Sequence, residues 1–202
     1  MADAKHIVVE IDEKGFRLMG NPIAEPVPLE FLNSILGTVP QTSGIAPDPW
    51  EKPDTRCGYA YDSLGITVSE DLQRRLLYSL RCHFQIDRSS NWLKSVAEFS
   101  GRAIICGLPL KGGILVADAL AAMPFLKNRL GWLSGEFRGQ SALLVFSKDK
   151  EALAKMPPYR RKAVPETLET LEISLSTDWR WGTGQLPAEG DIGVPPRALG
   201  DW

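Results

Sequence analysis

Histidine and cysteine, the side chains that most often serve as catalytic base and nucleophile, are scarce in this sequence. Its 202 residues include two histidines and three cysteines. Cys82 and His83 are neighbours on a strand-like segment, where successive side chains point to opposite faces, so they cannot form a nucleophile–base dyad. We interpret His83 as a surface residue and the cysteines as small packing residues of a reducing compartment. Because the sequence also lacks a phosphate loop, a zinc-binding pair and a nucleophile elbow, we expect no enzyme, no cofactor and no metal site.

Acidic and aromatic side chains concentrate in a proline-rich loop, residues 46–56, and in the strand that follows it. Trp50 lies in a segment too polar to bury it easily, and an aromatic anchor ringed by acids is typical of a protein-binding hot spot. The competing interpretation is that Trp50 folds back as a small core of the loop itself. We predict a partner-binding surface formed by Asp48, Trp50, Glu51, Asp54, Tyr59, Tyr61 and Asp62.

The formal net charge of −2 conceals an uneven distribution. Residues 1–70 hold eleven acidic and five basic side chains, whereas residues 71–202 hold fourteen and eighteen. An acidic half would steer a basic partner toward the molecule. The dense basic cluster, Arg160-Arg161-Lys162 beside Lys155, is too small for the basic face that binding to nucleic acid requires, so we expect no nucleic-acid partner.

Two long segments alternate between apolar and polar residues, which predicts strands with one buried and one solvated face. The first covers residues 76–86 and places His83 on the solvated face. The second covers residues 171–181 and places Trp179 and Trp181 on the apolar face, so both rings are expected in the core.

Shorter elements precede the first long strand. Residues 6–11 and 15–19 have the spacing of a hairpin, and residues 28–37 predict a short amphipathic helix that begins at a proline and ends at a glycine. Residues 59–68 predict one strand with Gly65 as a bulge.

The second half follows a similar order. Residues 95–99 and 102–106 predict a hairpin, residues 116–123 a helix and residues 141–146 a strand. Residues 147–156 have the composition of a further helix, which ends at two prolines.

These patterns predict a fold of the α+β class with an internal repeat, because the segment 15–23 resembles the segment 101–110. We expect two related ββαββ halves, residues 1–88 and 89–181, and a proline- and glycine-rich tail at 182–202. The strands would form one extended sheet or two packed sheets, mainly antiparallel, with short helices on one face. The whole chain is expected to be one compact unit.

The composition, 44% hydrophobic and 24% charged, is that of an ordinary globular protein. Apolar runs are interrupted well short of the ~20 residues that cross a bilayer. The first residues carry no leader pattern. We therefore expect a cytoplasmic protein that does not bind membranes.

Three short motifs of the first half resemble a pattern in bacterial proteins. A hairpin at 15–23 is followed by a helix that ends in Leu36-Gly37, and then by the strand motif Tyr61-Asp62-Ser63-Leu64-Gly65-Ile66. This pattern resembles immunity proteins of polymorphic toxin and type VI secretion systems over residues 6–86, with a fainter similarity over 95–146. The second half lacks the tyrosine–aspartate–leucine–glycine motif, and no catalytic residues come with the resemblance.

The resemblance implies a non-enzymatic function: binding a cognate bacterial toxin and occluding its active site. Two alternatives stay open. A small-molecule or glycan-binding module would use Trp50, Tyr59 and Tyr61 as stacking surfaces. A hydrolase would use paired carboxylates, because such a pair is defined by its separation in space.

Overall fold

The computed structural model describes residues 7–45, 56–86, 96–129, 132–148, 153 and 155–175. These residues form two sheets and two short helices, which confirms the predicted mixed α+β class. The elements are β1 (Val8–Asp12), β2 (Gly15–Leu18), β3 (Asn21–Ile23), α1 (Leu29–Leu36), β4 (Thr42–Ile45), β5 (Arg56–Tyr61), β6 (Ile66–Asp71), β7 (Leu76–His83), β8 (Arg102–Ile105), β9 (Leu108–Leu110), α2 (Val116–Ala122), β10 (Lys127–Arg129), β11 (Trp132–Phe137), β12 (Gln140–Lys148) and β13 (Glu166–Ser174). Short 3-10 turns lie at Asp62–Leu64 and Pro158–Ala163.

The smaller sheet has five strands in the order β3-β2-β1-β8-β9. Its central pair, β1 and β8, is parallel, with Val9 opposite Ala103, and the other pairs are antiparallel. The predicted hairpin between residues 95–99 and 102–106 is therefore wrong, and β8 instead forms a hairpin with β9. The amides of Ala97 and Phe99 donate to the carbonyls of Asp62 and His83, so they are not available to β8.

The larger sheet has eight antiparallel strands in the order β10-β11-β12-β13-β7-β6-β5-β4. The two long predicted strands, β7 and β13, are its central pair, with Cys82 opposite Leu171. Both differ in extent from the prediction: β7 ends at His83, and β13 begins at Glu166. Trp179, Trp181 and the predicted tail lie outside the described residues.

One continuous core holds the two sheets together. The inner face of the small sheet supplies side chains such as Val9 and Leu18, and the large sheet supplies others such as Leu80 and Ile173. Gln140 adds a polar link, because its Oε1 accepts from the Phe16 amide at 2.8 Å and its Nε2 donates to the Ile23 carbonyl at 2.6 Å. The core thus contains residues of both predicted halves.

The helices begin and end much as the sequence predicts. Pro28 precedes α1, and Gly37 ends it in the left-handed conformation with φ 65°. Leu32 and Leu36, one turn apart, enter the core. No described helix is long and apolar enough to cross a membrane.

Two local predictions differ from the structure. The segment 59–68 is two strands separated by a 3-10 turn, because Gly65 adopts φ 69° and turns the chain sharply. Of the helix predicted at 147–156, Ser147 and Lys148 instead continue β12, whereas Leu153 and Lys155 are helical; residues 149–152 and 154 lie outside the described part of the chain.

Candidate binding surface

The motif from Tyr61 to Ile66 forms a corner between β5 and β6. Tyr61 is fully buried, and its hydroxyl donates to Asn33 Oδ1 on α1 at 2.7 Å. Burial raises the pKa of Tyr61, so the hydroxyl stays protonated and remains a donor. Asp62 Oδ2 accepts from the Thr42 hydroxyl at 2.9 Å, which ties the corner to β4.

Gly65 lets a neighbouring segment approach this corner closely. A Cβ atom at Gly65 would lie 2.4 Å from the Phe99 amide nitrogen and 2.7 Å from the Ala97 carbonyl oxygen. The Ala97 amide in turn donates to the Asp62 carbonyl at 2.7 Å. The corner therefore joins α1, β4 and residues 97–99, and its residues serve the fold.

Three predicted surface residues are described, and the structure separates their roles. Tyr61 lies in the core, so its ring cannot contact a partner while β5 stays paired. Asp62 is partly exposed and bound to Thr42. Tyr59 is partly buried against the core. Tyr61 is therefore not exposed to stack against a sugar ring, as the glycan-binding alternative requires.

Tyr59 belongs to a polar cluster at the other end of β5. Its hydroxyl donates to Glu70 Oε2 at 2.6 Å, and the carboxylate of Glu70 is only 2% exposed. Burial, together with this hydrogen bond, raises the pKa of Tyr59. Arg75 Nε lies 3.4 Å from Glu70 Oε1, and Arg75 itself has a left-handed φ of 56°.

The turn between β6 and β7 brings Arg75 to this carboxylate. Asp71 Oδ1 accepts from the amides of Gln73 and Arg74, and the Asp71 carbonyl accepts from the Arg75 amide at 2.7 Å. The alternation Ile66, Val68, Glu70 already indicates the core-facing side of β6. Strand periodicity therefore indicates that Glu70 faces the core, which the acidic composition of the loops does not show.

The four predicted loop residues, Asp48, Trp50, Glu51 and Asp54, lie outside the described residues. The described strands fix where their loop is attached. It connects β4 to β5, and β5 begins with Arg56 opposite Asp71, so the loop leaves the sheet at the end that carries the β6–β7 turn.

The polar face of β7 and β13 is buried, which corrects the prediction of a solvated face. His83 is 4% exposed, and its Nε2 shares a hydrogen bond of 2.8 Å with the Thr67 hydroxyl. Desolvation, reinforced by the nearby positive charge of Arg81, lowers the pKa of His83 to about 3. The imidazole is therefore neutral at physiological pH, and His83 is an internal residue rather than a surface one.

An ion pair joins the same two strands. Arg81 Nε donates to Glu172 Oε2 at 2.8 Å, and the two residues lie directly opposite each other. Two residues further along the ladders, four serines lie in register across neighbouring strands. The row consists of Ser69, Ser79, Ser174 and Ser141.

The predicted basic cluster lies between β12 and β13. The 3-10 turn Pro158–Ala163 carries Arg160, Arg161 and Lys162, all exposed. Tyr159 on the same turn is also exposed. The cluster is therefore a cationic surface at the opposite end of the sheet from the β6–β7 turn.

Within the described residues, no group of three or more histidine, cysteine, aspartate or glutamate side chains is arranged to hold a metal ion. No family model, curated protein or solved structure matches the chain.

Proposed function

We propose that this protein is a non-enzymatic, cytoplasmic immunity protein that binds a cognate bacterial toxin and occludes its active site. The observation that carries the proposal is the role of the motif through which the first half resembles such proteins. Tyr61, Leu64 and Gly65 are buried, and they shape a corner of the scaffold. A motif of this kind would be shared by proteins with one scaffold and different partners, as expected when each immunity protein matches its own toxin.

The distribution of charge favours a basic partner at the first half of the chain. The first 70 residues have an excess of six acidic side chains, and Glu13, Glu25 and Glu30 are exposed among the described ones. An acidic surface accelerates association with a basic partner and disfavours acidic ones. We therefore assign the toxin-facing surface to the first half, with Asp48, Trp50, Glu51 and Asp54 as contacts and with Tyr59 on β5 and Asp62 at the β5–β6 corner as further candidates.

We also infer that the two halves arose from an internal duplication. Residues 15–83 and 102–174 both run strand, strand, helix and four strands, and the large sheet has a mirrored order about β7 and β13. The hairpins β2–β3 and β8–β9 have matching registers, with Phe16 opposite Ile23 and Ala103 opposite Leu110. This repeat begins at β2 and includes two more strands than the ββαββ unit that the sequence suggested.

The hairpin turns support the same inference. Met19-Gly20 has φ values of 53° and 79°, and Cys106-Gly107 has 49° and 80°. Positive φ at both central residues defines a type I′ turn, and a methionine or cysteine adopts it reluctantly. Two such turns at equivalent positions favour common descent over coincidence.

The direct test uses the protein encoded by the neighbouring reading frame as the toxin. Co-expression of the full chain should restore growth to cells that produce this toxin, and the two purified proteins should form a stable complex. The expected control is an unrelated toxin, which the chain should neither bind nor neutralise. Growth inhibition that persists at full expression, with no complex between the purified proteins, would contradict the proposal.

A further inference from the structure

The two sheets have four outer strands among the described residues: β3, β9, β10 and β4. An unpaired strand edge attracts other strands, and proteins protect such edges with proline, with lysine or with short length. Three of the four edges carry a protecting residue. β3 has Pro22 at its centre, β9 has Pro109, and the three-residue β10 has Lys127.

β4 is the exception. Its sequence, Thr42-Ser43-Gly44-Ile45, contains neither proline nor charge, and it is the longest of the four edge strands. Its inner edge is held by β5, with Ser43 opposite Tyr59, and the ladder skips Gly44. The corner also fixes β4, because the Thr42 hydroxyl donates to Asp62. The strand is thus anchored on one side, and on the other its sequence supplies neither proline nor charge; short length and the irregular ladder at Gly44 are the protection it has.

The surroundings of β4 indicate what it would accept. Val39, three residues before the strand, is 63% exposed, which offers an apolar contact beside the edge. β4 also belongs to the acidic first 70 residues, whereas the opposite edge strand, β10, belongs to the basic part and carries two cations. The β4 edge therefore lies in the part of the chain whose charge suits a basic partner.

We propose that β4 is a docking strand, to which an extended basic segment of the toxin adds as a ninth strand of the large sheet. This inference rests on the proposed function, since it names the part of the surface that the toxin engages. In strand addition, main-chain hydrogen bonds supply affinity and neighbouring side chains supply specificity. Four residues of edge span ~13 Å and offer about two to four outward main-chain hydrogen bonds.

Hydrogen–deuterium exchange of the intact chain, alone and with the purified neighbouring toxin, tests this proposal without any substitution. The amides of residues 41–45 should become protected when the toxin binds, and those of 127–129 should not. A complex that forms without protection of 41–45 would overturn the docking strand and leave the immunity function in place. If no complex forms, the immunity function itself fails, and the docking strand fails with it.

Hydrogen–deuterium exchange of the chain alone tests whether a second copy of the chain, and not a toxin segment, pairs with β4. Protection of residues 41–45 that increases with chain concentration, together with a doubled mass in solution, would show that a second copy pairs with β4. That result would overturn the toxin segment as its occupant. We expect the protection of residues 41–45 in the chain alone to be the same at every chain concentration.

A matched pair of proline variants measures the size of the effect. Ser43→Pro and Asn128→Pro each place proline at an exposed position in an edge strand of the same sheet. Ser43→Pro should weaken toxin binding about 10- to 100-fold, the loss expected from a few main-chain hydrogen bonds, and Asn128→Pro should change it less than about 2-fold. If both variants melt like the wild type and bind the toxin equally well, the proposal is contradicted. If Ser43→Pro does not fold, the exchange experiment on the unsubstituted chain remains the test.

Discussion

The two halves of the molecule share an order of elements but place their long connections differently. In the first half β6 and β7 are joined by a tight turn, and the long connection, residues 46–55, lies between β4 and β5. In the second half β10 and β11 are separated by two residues, and the long connection, residues 149–165, lies between β12 and β13. The first connection is acidic, and the second carries the basic turn with Arg160 and Arg161.

One order of elements can therefore carry two unlike connections. The two connections leave the large sheet at opposite ends, since Arg56 lies opposite Asp71 at one end and Lys148 opposite Glu166 at the other. The two connections also differ in the sign of their charged residues, with acidic residues prevailing in the sequence of 46–55 and basic ones in the turn Pro158–Ala163. Under the proposed function, a basic toxin should contact the half that carries the acidic connection.

The corner motif provides the largest expected difference between the halves. Gly65→Ala should lower the free energy of unfolding by about 3 kcal/mol or more, because a strained φ is combined with contact against the Phe99 backbone. The matched change in the second half is Gly139→Ala at the β11–β12 turn, where φ is 83° and a Cβ atom meets nothing within 4 Å. It should cost only about 1–2 kcal/mol. Urea denaturation measures both, and equal losses would show that the corner is no more crowded than the turn.

The junction of the halves should be the next most sensitive feature. Arg81→Met leaves the Glu172 carboxylate, on the other half, without this partner in a buried setting. We expect a loss of about 2–3 kcal/mol, below the full cost of breaking a buried pair because Arg81 is partly exposed. The double variant Arg81→Met, Glu172→Met should recover part of that loss. If the single variant is as stable as the wild type, the pair contributes nothing to joining the halves.

His83 makes the stability of this junction depend on pH. Its pKa is about 3 in the folded protein, against 6.5 for the free side chain, so below pH 6.5 the unfolded chain takes up a proton that the folded chain does not. Stability must therefore fall as the pH decreases from about 6.5 toward 3. Between pH 7.5 and 5 this loss should reach ~2 kcal/mol.

The control is the His83→Gln variant, which lacks the titrating group. Urea unfolding at pH 7.5 and pH 5 should show that the free energy of unfolding falls by ~2 kcal/mol more in the wild type than in this variant. Parallel losses in the two proteins would mean that His83 is accessible to protons in the folded state.

Local pattern predicted the elements that depend on neighbouring residues. The helix between Pro28 and Gly37, the hairpin of residues 6–11 with 15–19 and the two central strands all follow from spacing within a few residues. The parallel pairing of β1 with β8 could not follow from such spacing, because it joins segments more than ninety residues apart.

Burial was the harder property to predict. The alternation of β7 correctly separates its two faces, but it cannot show that the polar face is also covered in the folded chain, as the burial of Ser79 and His83 shows. For the same reason the sequence predicts Tyr61 as a surface aromatic, whereas in the structure it is buried and bonded to Asn33 on α1. The polar or aromatic type of a residue indicates what it can bind, whereas tertiary packing decides what reaches it.

The association rate of the complex at low and high salt shows which half faces the toxin, and we propose that it is the acidic half. Asp48→Lys with Asp54→Lys should slow association about 10-fold at low salt, and the difference should shrink at high salt as the charges are screened. The matched reversal in the other half, Arg160→Glu with Arg161→Glu, should leave the rate within about 2-fold. Slower association in the second pair, with the first pair unchanged, would place the toxin on the basic half and contradict the assignment to the acidic half.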